Sequence, residues 1–258
     1  MKNTMLTAAI LAMFLSLIVW AGIANAGSKP PKSCKNMVLI SDFEGVSSPV
    51  DGFTKQQIQR GEISLTPDPE NAANQVAKMT AGGKVNGQVG KADLILAFDE
   101  KGAGSRVKME ARFFFPPGSA LDSLILMDLE CASCGIDTNP GIRLYLRDGL
   151  LRVDRSKIGA FEPMLPTVAK FITSEGWHNI SWEVTLGVGN AGRSVVLIDG
   201  VKMLDVQGTT ILTQAEIDKV AQGIVVRELV DRFQVGMTAN SNNSEQTLYL
   251  DDVKICLR

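Results

Sequence analysis

The chain has 258 residues, 26 basic and 28 acidic side chains, a formal net charge of -2 and a single histidine. That balance makes nucleic acid a poor partner, because such surfaces are strongly basic. It also leaves Ser, Cys and zinc mechanisms short of the histidines they use.

Residues 1–26 read as a signal peptide. Lys2 supplies the basic start, Met5 to Ile23 the apolar run, and Ala24-Asn25-Ala26 the small-residue cleavage pattern. No cysteine follows directly, so there is no residue for a lipid anchor. Residues 27–258 are expected as one secreted or periplasmic domain, monomeric, with no membrane association once the leader is removed. About 230 residues is an ordinary size for a single β-sandwich, and no second apolar run of membrane-spanning length follows.

Four cysteines in an exported chain suggest disulfides before metal. Three pairings are possible. Cys34 with Cys256 is favoured because strands from the two ends of a sandwich often lie side by side, with Cys131 and Cys134 closing a local loop. A redox role for "CASC" needs a helix starting at its first cysteine. Strand-like "LILMDLE" before it and turn-like "GIDTNPG" after it predict a structural bridge instead.

From there the sequence alternates apolar and polar residues in short segments broken by turn residues, which predicts an all-β domain. "DLILAF" is followed by a loop at "DEKGAGS", then by "RVKMEARFFF", which two prolines stop, and by "LDSLILMDLE". Hairpins are expected at Asp148-Gly149 and Asp199-Gly200, since Asp-Gly suits a type I′ turn. "TQAEIDKVAQG" predicts one short helix, with Thr213 as N-cap, Glu216 as its capping-box partner and Gly223 as the stop. "QTLYLDDVKIC" is the last strand.

In "GWHNISWEVTL", period-two alternation places His178 with Ile180, Trp182, Val184 and Leu186. The histidine is therefore expected at the mouth of the core, bonded to a backbone group, and not in catalysis.

"GWHNISW", "SVVLIDGVKM" and "LYLDDVKI", with the early segments "LISDFEGV" and "GEISLTPDPENAANQVAKM", resemble the concanavalin A-like jelly rolls. That superfamily includes laminin-G-like domains, glucanase-type sandwiches, heparin-lyase-like proteins and carbohydrate-binding modules. The resemblance covers about Met37 to Ile255 and implies a two-sheet antiparallel jelly roll. Its matching residues are strand and turn residues, so they specify fold and not activity.

The resemblance also implies a structural calcium where "DFEG" meets "LDDV", with Glu44 and Asp251 as side-chain ligands of the hard type that Ca²⁺ favours. Alternation groups Asp251 with Tyr249, Val253 and Ile255, pointing inward, so this carboxylate needs a cation or loop hydrogen bonds. A second candidate is the outward face of the hairpin at Asp148, which carries Arg143, Tyr145, Arg147 and Arg152. Guanidinium groups bind carboxylates and sulfates through paired hydrogen bonds, so this face suits an acidic polysaccharide. The bland alternative is a solvated face balanced by neighbouring acids.

A lyase of this fold needs a base and cationic groups beside a uronate carboxyl. Tyr145 is the candidate base. Lys108, Glu110 and Arg112 echo the R-x-E-x-R strand of alginate-lyase-like enzymes, but the companion glutamine-x-histidine strand is absent. A glycoside hydrolase would need two carboxylates across a sugar ring, and only Asp128 and Glu130 share a strand face. The sequence therefore favours a carbohydrate-binding protein over an enzyme, with a polysaccharide lyase as the alternative.

Overall fold

The structure is a computed structural model that describes residues 37–136, 139–167, 171–174, 176–219 and 223–258. The expected leader and Cys34 lie outside these residues. Fourteen strands and one short α-helix follow in chain order: β1 (Val38–Ser41), β2 (Lys55–Gln59), β3 (Gly61–Pro67), β4 (Gln75–Ala81), β5 (Gly90–Gly102), β6 (Arg106–Phe114), β7 (Leu124–Glu130), β8 (Gly141–Arg147), β9 (Leu150–Asp154), β10 (Trp177–Thr185), β11 (Arg193–Ile198), β12 (Val201–Gln207), α1 (Gln214–Ile217), β13 (Leu229–Asn240) and β14 (Gln246–Leu257).

They form two antiparallel sheets. An eight-stranded sheet runs β12-β11-β10-β6-β14-β4-β3, with β1 also paired to β14, and a six-stranded sheet runs β2-β5-β13-β7-β8-β9. This is the predicted jelly-roll sandwich. The core lies between the inner faces, with Trp182, Phe113 and Met109 from one sheet against Phe233, Leu94 and Leu129 from the other, all fully buried. The Trp182 indole N–H donates to Ser194 Oγ at 2.7 Å, so its one polar atom is satisfied inside the core.

Both Asp-Gly hairpins form as expected. Asp148 and Gly149 have φ of 51° and 73°, and Asp199 and Gly200 have 52° and 76°, the paired positive values of a type I′ turn. Thr213 Oγ1 accepts from the Glu216 amide at 3.2 Å and starts α1. The helix ends at Ile217, and Val220 and Ala221 of the predicted stretch lie outside the described residues. One boundary differs from expectation. The turn residues predict a loop at "DEKG", but β5 continues to Gly102, because its register with β13 runs on to Lys101 opposite Val230 and Gly102 opposite Leu229.

The chain ends meet as expected: β1 lies beside β14 with Val38 opposite Ile255. Cys256 is disulfide-bonded, while its expected partner Cys34 falls outside the described residues. Cys131 and Cys134 form the local bridge between β7 and β8.

Gly236, in the middle of β13, has φ of 120°. A Cβ there would stand 2.3 Å from Met79 Sδ and 3.0 Å from the Ala92 carbonyl. The position therefore needs glycine both for backbone conformation and for close approach of the opposite sheet. Gly236→Ala is expected to lower stability by roughly 2–4 kcal/mol, read as a lower urea midpoint with an unchanged slope.

Candidate functional site on the outer face of the six-stranded sheet

Core packing fixes which side chains of each strand point away from the interior. Across the six-stranded sheet these outward positions align in rows. Asp128 on β7 stands between Gln234 on β13 and Arg143 on β8, and Arg143 is followed by Asp154 on β9. The next row along β7 pairs Glu130 with Arg232. On the other side Tyr145 faces Arg152. Asp93 on β5 lies opposite Gly236 and, towards β2, Gln57.

These groups are unusually buried for an outer face. Asp93, Asp128 and Glu130 are 0%, 5% and 2% exposed. Glu130 is fully served: Lys157 Nζ donates to one oxygen, while Arg232 at 3.0 Å and the Gln234 amide donate to the other. Among the described residues, Asp128 Oδ1, both Asp93 carboxyl oxygens and Gln234 Oε1 have no hydrogen-bond partner. Burial pushes the Asp128 carboxyl up to about 7, with the Glu130 charge adding to the effect and Lys157, Arg143 and Lys91 opposing it. Burial likewise raises Asp93 well above the carboxylate range, helped by Asp128 and opposed by Lys91.

The predicted ligand residues gather at the β8–β9 end of this face. The Arg152 guanidinium lies 4.8 Å from the Tyr145 ring centroid, and Arg147 stands two residues along on the same face of β8. Arg143 Nη2 donates to Asp154 at 2.7 Å and to Ser156 Oγ at 2.9 Å. Burial alone would raise Asp154, but these bonds hold it below its usual range. Arg147 pairs with Asp122 at 3.2 Å. Two of the four predicted groups are thus balanced by acids. Arg152 forms no ion pair among the described residues, and its buried Nε has no hydrogen-bond partner there. A small cleft of about 140 Å³ opens between Arg147, Arg152 and Leu165. At the opposite end of the face a larger cleft of about 650 Å³ is lined by Lys55, Ile95, Ala97, Asp231 and Arg232. The Cys131–Cys134 loop forms one wall of it through Ala132, anchored where the Ala132 and Ser133 amides donate to Asp231.

Other predicted residues lie elsewhere. Lys108, Glu110 and Arg112 are on β6 in the other sheet, so they cannot share a groove with Tyr145. His178 is 9% exposed on the inner face of β10, with Nδ1 3.1 Å from Asp199 Oδ2 and Nε2 3.2 Å from the Thr173 carbonyl, as a structural histidine would be.

Asp251 corrects the alternation argument. A bulge at Asp252, whose φ is 50°, shifts the register of β14, so Tyr249 and Asp251 point outward while Val253 and Ile255 turn to the core. Asp251 is nonetheless 3% exposed, and burial raises its pKa. It accepts from Arg112 and Asn74, each at 3.2 Å, and from the Asp252 amide. Glu44 accepts from the Gln75 amide at 2.7 Å, so the two carboxylates reach adjacent residues of one corner. No group of three His, Cys, Asp or Glu side chains able to hold a metal occurs among the described residues. The carboxylates of Glu44 and Asp251 are the hard oxygens that calcium favours, while Asn74 turns its amide nitrogen to Asp251.

The sequence missed Asp93, Lys157, Arg232 and Gln234 and gave Asp128 and Glu130 little weight. The available signal was alternation: "KAD", "MDLE" and "RFQV" each place polar groups at every second position of otherwise apolar strands.

No protein-family model and no curated protein sequence matches the chain. Solved structures do resemble it. An endo-β-1,4-glucuronan lyase from the fungus Trichoderma reesei has a TM-score of 0.61 at 12% identity, covering 86% of this chain and 95% of that one. The cellulose-induced protein Cip1 has 0.56 at 12%, covering 84% and 95%. Alginate lyase Aly36B has 0.53 at 11%, covering 85% and 96%. The chain therefore shares the two-sheet antiparallel jelly-roll fold of these structures.

The raised Asp128 carboxyl links stability to pH. It is neutral in the fold up to about 7 but ionises near about 3.9 when unfolded, so between these values the unfolded state holds fewer protons and stability falls as pH rises. Asp128→Asn removes that loss. Its Tm relative to the parent is expected to climb from about pH 4 to about pH 7 and then level off, a gain on the order of a few kcal/mol, measured by thermal denaturation across that range.

Proposed function

We propose that this protein is an exported, carbohydrate-active jelly roll that cleaves a uronic-acid polysaccharide by β-elimination on the outer face of the six-stranded sheet. The observation that carries this reading is Tyr145, half-buried on that face beneath the Arg152 guanidinium, with Arg147 two residues along the same strand face. Tyr145 accepts the proton from the carbon next to the uronate carboxyl, Arg152 offsets the charge that develops on that carboxyl, and the bond to the leaving sugar oxygen breaks as the double bond forms. The proton returns to the leaving oxygen. The fold is one in which proteins named for glucuronan and alginate cleavage are built, which favours this reading over the binding protein expected from sequence.

Binding without turnover is the second reading. It is favoured by the ion pairs of Arg143 with Asp154 and of Arg147 with Asp122, which suit a rigid recognition surface.

Incubation with glucuronan and alginate separates the two. A lyase yields absorbance from unsaturated ends, and Tyr145→Phe is expected to cut that rate by about 10²–10⁴ while retardation in affinity gels persists. Arg152→Ala is expected to weaken both. Retardation by the parent protein with no unsaturated product makes it a binder.

The same proposal includes a structural calcium at the corner of Glu44 and Asp251. Added Ca²⁺ is expected to raise Tm by several degrees, and Glu44→Gln is expected to lose most of that gain. An unchanged Tm at millimolar calcium removes the ion from the proposal.

A further inference from the structure

The outer face of the six-stranded sheet holds more carboxyl groups than its bonded cations serve. Lys157 and Arg232 both bind Glu130, and Arg143 is turned to Asp154. Asp128 lies among them with Oδ1 unpartnered, and its cross-strand neighbour Gln234 has an amide oxygen without a donor. Two buried acceptors side by side are relieved by one proton, because a neutral carboxyl gains a hydroxyl that can donate. Towards β5 the neighbours are Lys91 and Asp93, and Asp93 is itself uncompensated.

We propose that ligand binding on this face is coupled to proton uptake by Asp128, so that a polyanionic glycan binds the form in which this carboxyl is neutral. The inference rests on the uronic-acid reading above. Tyr145 sits on β8, beside β7, and Arg152 on β9, the next strand out, which at about 4.8 Å per strand puts a ligand carboxylate there at about one Debye length from Asp128. Two like charges at that separation disfavour each other, and a neutral Asp128 removes the conflict while Arg143, Lys157 and Arg232 keep their charge. By reciprocity, whatever the proton does for the ligand, the ligand does for the proton. Burial holds the carboxyl near about 7, so the coupling falls within the neutral range.

The test is titration calorimetry with glucuronate and mannuronate oligosaccharides from about pH 6 to about pH 8.5. The parent protein is expected to lose affinity above neutrality, approaching tenfold per pH unit if one full proton is taken up. Binding heats near pH 7.5 should differ between buffers of unlike ionisation enthalpy, which needs no variant. Asp128→Asn is expected to bind with a flat profile. Asp205→Asn, on the other sheet, should keep the parent's slope. Binding with no pH dependence, or a slope retained in Asp128→Asn, overturns the coupling while leaving the uronic-acid reading intact. Failure of every polyuronate to bind at any pH sinks both.

Discussion

Everything functional in this molecule depends on the packing of two sheets through their inner faces. Once Trp182, Phe113, Phe233 and Leu94 are committed to the interior, every alternate residue of the same strands must point outward. Strand pairing then sets which outward residues are neighbours. The row from Gln234 through Asp128 and Arg143 to Asp154 is a product of register, drawn from strands far apart in sequence. A shift of one residue in β7 would turn Asp128 and Glu130 into the core and Leu129 out of it.

That constraint also produces the electrostatic character of the face. Carboxyl groups on β7 and β5, either side of β13, are screened from water by the side chains around them, and low effective dielectric makes their mutual repulsion costly. Glu130 keeps its charge environment satisfied by collecting Lys157, Arg232 and Gln234. For Asp128 and Asp93 burial instead favours the uncharged carboxyl. At the β8–β9 edge the same residue types behave differently, because greater exposure lets arginine and aspartate pair across strands. The face thus grades from a buried centre with unpartnered carboxyl oxygens to an ion-paired rim on which Tyr145 and Arg152 are presented.

The two sheets divide the polar residues that sequence patterns had suggested might act together. Lys108, Glu110 and Arg112 lie with Asp251 in the eight-stranded sheet, where Arg112 serves as a counter-charge for a buried aspartate and stacks 4.6 Å from the Trp177 ring. One aromatic surface a glycan could have used is therefore already covered. His178 is held between Asp199 and Thr173 at the core margin. The outer face of the other sheet carries a cleft at each end.

By itself the sequence determined the local features: strands from alternation, two type I′ turns from Asp-Gly, a helix start from Thr213 and Glu216, the Cys131–Cys134 loop, and the inward direction of His178. Each rests on interactions within a few residues, which composition and spacing encode directly. It also singled out Tyr145, Arg143, Arg147 and Arg152, because they fall on one hairpin whose register the turn fixes. It could not join Asp93, Asp128, Arg232 and Gln234, since their meeting depends on pairings among β5, β13 and β7 across more than a hundred residues. Nor could it foresee that a bulge would turn Asp251 outward, or decide between open arginines and arginines balanced by acids at Arg143 and Arg147. Strand order, register and burial decided those, because they arise only when the two sheets close on one another.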